Sequence, residues 1–172
     1  MPDGAFDIYH LIPPPPNSPP GTKPGRKVIA RVDFPSSVRK ALLVVTKKGH
    51  RQYSVYAFED DFNGHGEGEL KVVNISRMPA ALNLFNENYL VNTGDSEIAS
   101  FEDGQTLVKV AVHGGNDWRI AFSKGKIANP GVRAYVFVYD WERDPLLPTD
   151  IPPEPALVRF MTESAPLPDS GV

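Results

Sequence analysis

The sequence predicts an all-β chain, a single antiparallel β-sandwich carrying proline-rich extended arms. Three observations predict it. Short runs of apolar, β-branched and aromatic residues alternate with polar ones at period two, and no window has helical period. Glycine or Asp-Gly interrupts the chain about every ten residues, the spacing of a sandwich or barrel. Of 18 prolines in 172 residues, seven lie in 13–24 and seven in 145–168, and only Pro35, Pro79 and Pro130 fall between 25 and 143. The expected organisation is an N-terminal arm (1–24), a sandwich (25–143) and an acidic C-terminal arm (144–172).

Each element follows from its residues. Val28, Ala30 and Val32 alternate with Lys27, Ile29 and Arg31. Runs 41–45 and 53–58 flank Lys48-Gly49-His50, a hairpin signal. Strands are expected at 70–75, 81–85, 89–91 and 97–101. Asn86-Glu87-Asn88 suits the turn between the second and third of these, because asparagine tolerates positive φ. Residues 107–112 and 118–122 alternate strictly about His113-Gly114-Gly115-Asn116-Asp117, which argues a half-buried antiparallel pair. Residues 133–141 are apolar on both faces, the mark of a central strand covered on each side.

The expected core comprises Val28, Val32, Leu43, Val45, Val55, Val72, Leu82, Leu84, Val108, Val110, Val112, Trp118, Ile120, Phe122, Val136 and Val138. The pattern reads as immunoglobulin- or transthyretin-like. In the arms, PPPPNSPP cannot join a hydrogen-bonded ladder, because proline has no N–H, so it is expected as an extended spacer. FDIYHLI before it and ALVRFM near the C-terminus are strand-competent segments on proline-rich leads.

Composition narrows the function. The chain has no cysteine, which excludes thiolate zinc sites, iron–sulfur clusters and cysteine nucleophiles. No apolar run approaches the roughly 20 residues of a membrane helix. Net charge is −3, yet residues 22–51 carry nine basic side chains against Asp33 alone, so the remainder is strongly acidic. That split suits an anionic partner, self-association through opposite patches, or a solvated basic face. A pI near 5.8 argues against a nucleic-acid partner.

Candidate sites are few. Residues 59–69 bring Glu59, Asp61, Asn63 and Glu67 to calcium-loop spacing, with Gly64 at the sixth position. Leu70 stands where a bidentate glutamate is needed, so Ca2+ is the one cofactor considered, against a solvated acidic connection. Asp60 or Asp61 with Glu67 or Glu69 could form a carboxylate pair of the glycosidase type. His10, His50, His65 and His113 show no metal-ligand spacing, and three of them read as exposed turn or linker residues. There is no G-x-S-x-G elbow, phosphate-binding loop or H-E-x-x-H, and no catalytic residue is assigned. Trp118, Tyr135, Phe137, Tyr139 and Trp141 are either core or an aromatic platform.

The run from Phe62 to Ser76 (FNGHGEGELKVVNIS) fits the pattern F-x-x-x-x-x-G-x-L-x-V-x-N-[IL]-S. The chain then shows a small-L-x-L strand at 81–85, G-x-x-W-R-x-x-F-S at 115–123 and R-x-x-x-x-x-Y at 133–139. Over residues 60–140 it resembles uncharacterised exported β-sandwich proteins of the planctomycete–verrucomicrobial bacterial group. The resemblance implies a periplasmic or cell-surface location and no particular activity. Residues 1–16 lack a basic region followed by an apolar run, so a cytoplasmic location stays open unless a leader was removed.

The leading expectation is a non-enzymatic structural or protein-interaction module of the cell envelope, self-associating through its arms. Phe6, Ile8, Tyr9, Leu11 and Ile12, with Leu157, Val158 and Phe160, would add to exposed sheet edges. The alternative is a carbohydrate- or cation-dependent binding module using the 59–69 loop or the aromatics near Trp118 and Trp141.

Overall fold

The computed structural model describes residues 4–34, 38, 40–47, 53–101, 104–129, 131–141 and 155–164. Every regular element in them is a β-strand. The chain divides into two units, Met1–Asp61 and Phe62–Val172.

The first unit holds two antiparallel hairpins. β1 (Gly4–Ile12) pairs with β2 (Gly25–Phe34), and β3 (Ala41–Lys47) with β4 (Tyr53–Glu59). The prolines of 13–24 form the connection between β1 and β2, where their missing N–H groups break no ladder. The strand expected in FDIYHLI is present, paired within its own chain.

The second unit is the β-sandwich. Its strands are β5 (Glu69–Asn74), β6 (Ala80–Leu84), β7 (Glu87–Val91), β8 (Ser96–Ser100), β9 (Gly104–Gly114), β10 (Asp117–Ala128), β11 (Val132–Tyr139) and β12 (Leu157–Ser164). The first sheet has the order β10-β9-β6-β7 and the second β12-β11-β5-β8. Leu82, Leu84, Val108, Val110 and Val112 of the first meet Leu70, Val72, Ala134, Val136 and Val138 of the second in one buried cluster. The sandwich thus begins later than residue 25 and takes in Leu157–Ser164. Residues 144–154 of the expected C-terminal arm, like the turn at 48–50, lie outside the described residues.

An antiparallel sandwich was expected, but the second sheet is mixed: β5 and β11 run parallel. Parallel neighbours need a long crossover, and here the connection is the whole excursion through β6 to β10. β11 lies inside its sheet and is buried on both faces over Arg133–Val136, in line with its two-sided apolar sequence.

One segment governs the change of sheet. Asn74 ends β5, and Ala80 begins β6 in the other sheet. Asn74 is fully buried. Its Nδ2 donates to the carbonyls of Met78 (2.8 Å) and Val91 (2.9 Å). Its Oδ1 accepts from Ser76 N (3.0 Å) and Ser76 Oγ (2.7 Å). Its backbone N–H donates to Asp95 O, and its carbonyl accepts from Gly94 N. The crossover is also tied to β11, by Ile75 N donating to Val138 O and by Arg77 donating twice to Asp140.

Four expectations about facing residues are corrected. Val28, Trp118 and Ile120 are exposed, not core. Each lies beside a β-bulge. The β1–β2 register shifts between Ile8 and Tyr9, leaving Ile29 unmatched, and the β9–β10 register shifts between Ile120 and Phe122, leaving Ala121 unmatched. One extra residue flips every side chain beyond it to the other face. Val45 is also exposed, while Phe58 on the opposite face of that hairpin is buried. A run apolar on both faces carries no parity signal.

The β6–β7 turn is Phe85-Asn86, not Asn86-Glu87-Asn88: Leu84 pairs with Glu87, and both turn residues have positive φ (49° and 66°). A bulky residue there is strained. Beyond the turn, Tyr89 donates to Glu87 Oε2 at 2.6 Å, which raises the phenol above its ordinary pKa.

The bulge at Ala121 is tested by two truncations. Leu82→Ala should cost the sandwich about 3 kcal/mol in urea denaturation, and Ile120→Ala less than about 0.5 kcal/mol. A large cost at Ile120 would contradict the outward facing of that strand end.

Candidate interaction surface

β1 and β2 expose an apolar face. Beyond the Ile8/Tyr9 bulge, Tyr9 pairs with Val28 and Leu11 with Arg26. Tyr9, Leu11 and Val28 are 43%, 53% and 54% exposed. The Arg26 guanidinium stacks 4.7 Å from the Tyr9 ring centroid, which holds the ring in place from one side. Asp7 opposite Arg31, and Asp33, continue the same face toward its other end. The opposite face carries Ile8, His10 and Ile12. His10, Ile12, Pro13, Lys27 and Ile29 line a shallow cavity of about 280 Å³ with Tyr53 of β4.

This unit buries little. Among its described residues only Val32 and Phe58 are buried hydrophobics, while Tyr9, Leu11, Ile12, Val28 and Val45 are exposed. Among the described residues each hairpin is a two-stranded sheet, with no further strand paired on either edge. Such a sheet is marginal by itself in water, and a bare edge is a template for another strand.

The other predicted interaction residues are used within the chain. Leu157, Val158 and Phe160 pair with Tyr139, Val138 and Val136 of β11. Val158 and Phe160 pack against the sandwich core. Phe6 pairs with Val32 and Ile8 with Ala30.

The four residues of the expected calcium loop are spread along the acidic segment, with Asp61 half-buried between β4 and the turns. Glu59 is exposed on β4, and Asn63 and Glu67 are exposed in turns. Glu69 Oε2 accepts from Gly66 N at 2.7 Å. Gly68 takes φ +68°, while its N–H donates to Val132 O and its carbonyl accepts from Phe101 N. Glycine adopts that conformation at no steric cost. Among the described residues, no group of three or more histidines and carboxylates converges as metal ligands would.

His65, expected as an exposed turn residue, is fully buried. Its ring meets Tyr135 edge-on at 4.8 Å, and its Nε2 lies 3.1 Å from Glu69 O. Its carbonyl accepts from Arg133 Nη1. Arg133 is fully buried on the outer face of the second sheet, and its guanidinium lies 4.3 Å from the Phe62 ring centroid. It donates to Glu163 Oε2 from Nη2 (2.7 Å) and Nε (3.1 Å), and Tyr135 Oη donates to the same oxygen. Sequence reading missed Arg133 and Glu163. An arginine in an apolar strand that meets a far carboxylate leaves no local signal.

The aromatics do not assemble into one platform. Tyr135 is buried and stacks with Phe137 in the second sheet. Trp118 is exposed on the first sheet, with its ring set edge-on to His113 at 5.2 Å. Trp141 is half-buried.

No family model, no curated protein and no solved structure matches this chain. Among the described residues no helix is long and apolar enough to cross a membrane.

The Arg133–Glu163 pair ties β12 to β11. Because the Glu163 side chain is half-exposed, Glu163→Ala should cost about 2 kcal/mol in urea denaturation, short of the 3–5 kcal/mol of a fully buried pair. No loss of stability would show that this contact holds nothing together.

Proposed function

We propose that this protein is a non-enzymatic interaction module of the cell envelope that self-associates through its N-terminal hairpin. The observation that carries the reading is the exposed Tyr9-Leu11-Val28 face on a long sheet that is two-stranded among the described residues. Burying such a face and edge gains both apolar area and main-chain hydrogen bonds.

A second copy is the favoured partner because the face is complementary to itself. Arg26 lies at one end of the apolar patch, and Asp7, Asp33 and Arg31, one net negative charge, lie toward the other. A two-fold, antiparallel pairing brings each Arg26 toward the partner's aspartates. The envelope location rests on the resemblance over residues 60–140. Three of the four edge strands of the sandwich suit a partner strand less well, β12 being the exception. β7 and β8 have five residues each, and β10 carries Lys124 and Lys126, both devices that blunt an edge.

Light scattering on the full chain tests this. At about 100 µM the native protein should exceed its monomer mass of 18.9 kDa. The double variant Tyr9→Lys/Leu11→Lys changes only exposed side chains, so it should return the monomer mass with an unchanged melting temperature. Equal masses for the two proteins would refute self-association through this face.

A further inference from the structure

We infer that the outer face of the first sheet is a binding platform for a neutral linear polysaccharide. The inference stands apart from the hairpin reading, since it concerns different residues and a different ligand.

The registers align the outward side chains into rows across the strands. Leu90 pairs with Ala81, Ala81 with Ala111, and Ala111 with Ile120, which makes one apolar row spanning β7, β6, β9 and β10. Leu90 is 57% and Ile120 65% exposed. Asn88 pairs with Asn83, Asn83 with Lys109, and Lys109 with Ser123, which makes a polar row directly beside the first. On the other side of the apolar row stands Trp118, opposite His113. The bulge at Ala121 puts Trp118 and Ile120 on this face. Without it they would point into the core.

The chemistry of the rows matches a sugar chain. A pyranose ring has an apolar C–H face that packs on an indole or an aliphatic strip, and hydroxyls around its rim that need donors and acceptors. Trp118, braced by His113, and the apolar row supply the first. The polar row supplies the second. Asn83 Nδ2 donates to Asn88 Oδ1 at 2.9 Å and reaches Glu87 O at 3.3 Å. This fixes both amides while leaving Asn83 Oδ1 and Asn88 Nδ2 turned over to a ligand.

Size and charge select the class of occupant. Four strands about 4.8 Å apart give rows about 15 Å long, and adjacent rows lie about 7 Å apart. The platform therefore offers about 200–300 Å², against roughly 800 Å² per partner in a stable protein interface. The three rows alone are too small for a second copy and enough for a few sugar units, and beyond them only the two longer strands β9 and β10 continue the face, with Leu107 and Ile127. The two rows contain one cation, Lys109, and no carboxylate, which suits a neutral polymer and gives a polyanion little to bind.

Native affinity electrophoresis of the full chain tests the proposal. The gels contain mixed-linkage β-glucan, glucomannan, xylan or, as the anionic control, polygalacturonate. The expected result is retardation by at least one neutral polymer, weakened at least tenfold in Trp118→Ala and at least threefold in Asn83→Ala. Both variants change exposed or half-exposed positions and should melt with the native protein. The proposal is overturned by no retardation in any neutral polymer, by retardation that survives Trp118→Ala, or by retardation in polygalacturonate alone. A self-association lost in Trp118→Ala without polymer would assign the face to a second copy and overturn it equally.

Discussion

A chain that passes from one sheet of a sandwich to the other must carry its backbone polar groups through the apolar interior. Here that passage hangs on Asn74. Its side chain has two donors and two acceptor positions, and all four are used: on Met78 O, Val91 O, Ser76 N and Ser76 Oγ. The contacts reach from the end of β5 across the crossover to the end of β7. Ser76 Oγ, whose one proton goes to Asn74 Oδ1, in turn accepts from Met78 N, so the loop is closed on itself. Unpaired, each of those buried groups would cost about 1–3 kcal/mol.

The remaining strands take their places from that crossover. Ile75 and Arg77 hold β11 by its end, and Pro79 O accepts from His113 N at the end of β9. The parallel pairing of β5 with β11 and the antiparallel pairing of β6 with β9 are thereby set from one short segment. Hydrophobic burial then supplies most of the stability, through Leu70, Leu82, Leu84 and the valines between the sheets. The polar segment supplies the direction of the chain through them.

Much of the fold was legible in the sequence, and the failures have identifiable causes. Period-two alternation over 107–112 placed Val108, Val110 and Val112 inward, as they are. The same alternation misplaced Val28, Trp118 and Ile120, because a bulge inserts one residue with no compositional mark. The N-I-S stretch was visible as a pattern, but its meaning was not. Asparagine in a strand end reads as a turn former, and its partners at Met78 and Val91 are fixed only by the fold. His65 looked exposed because glycines flank it, yet its ring is buried edge-on against Tyr135. The surfaces proposed to bind share this origin. Each exposes residues that simple alternation assigned inward, Val28 on the hairpin and Trp118 and Ile120 on the sheet, and both do so beside a bulge. The asparagine and lysine row escaped notice because its members come from three strands.

The central claim is that the Asn74 network, and not burial alone, determines the path between the sheets. A double-mutant cycle on the full chain, followed by urea denaturation, tests it most directly. Asn74→Leu keeps the branched outline of the side chain and removes the four hydrogen bonds, Asn74→Ala does so without added bulk, and Ser76→Ala removes one partner. The account predicts a loss of about 3 kcal/mol or more for Asn74→Leu, and a coupling of at least about 1 kcal/mol between the two sites. A loss at Asn74 below about 0.5 kcal/mol, or strictly additive effects, would contradict it.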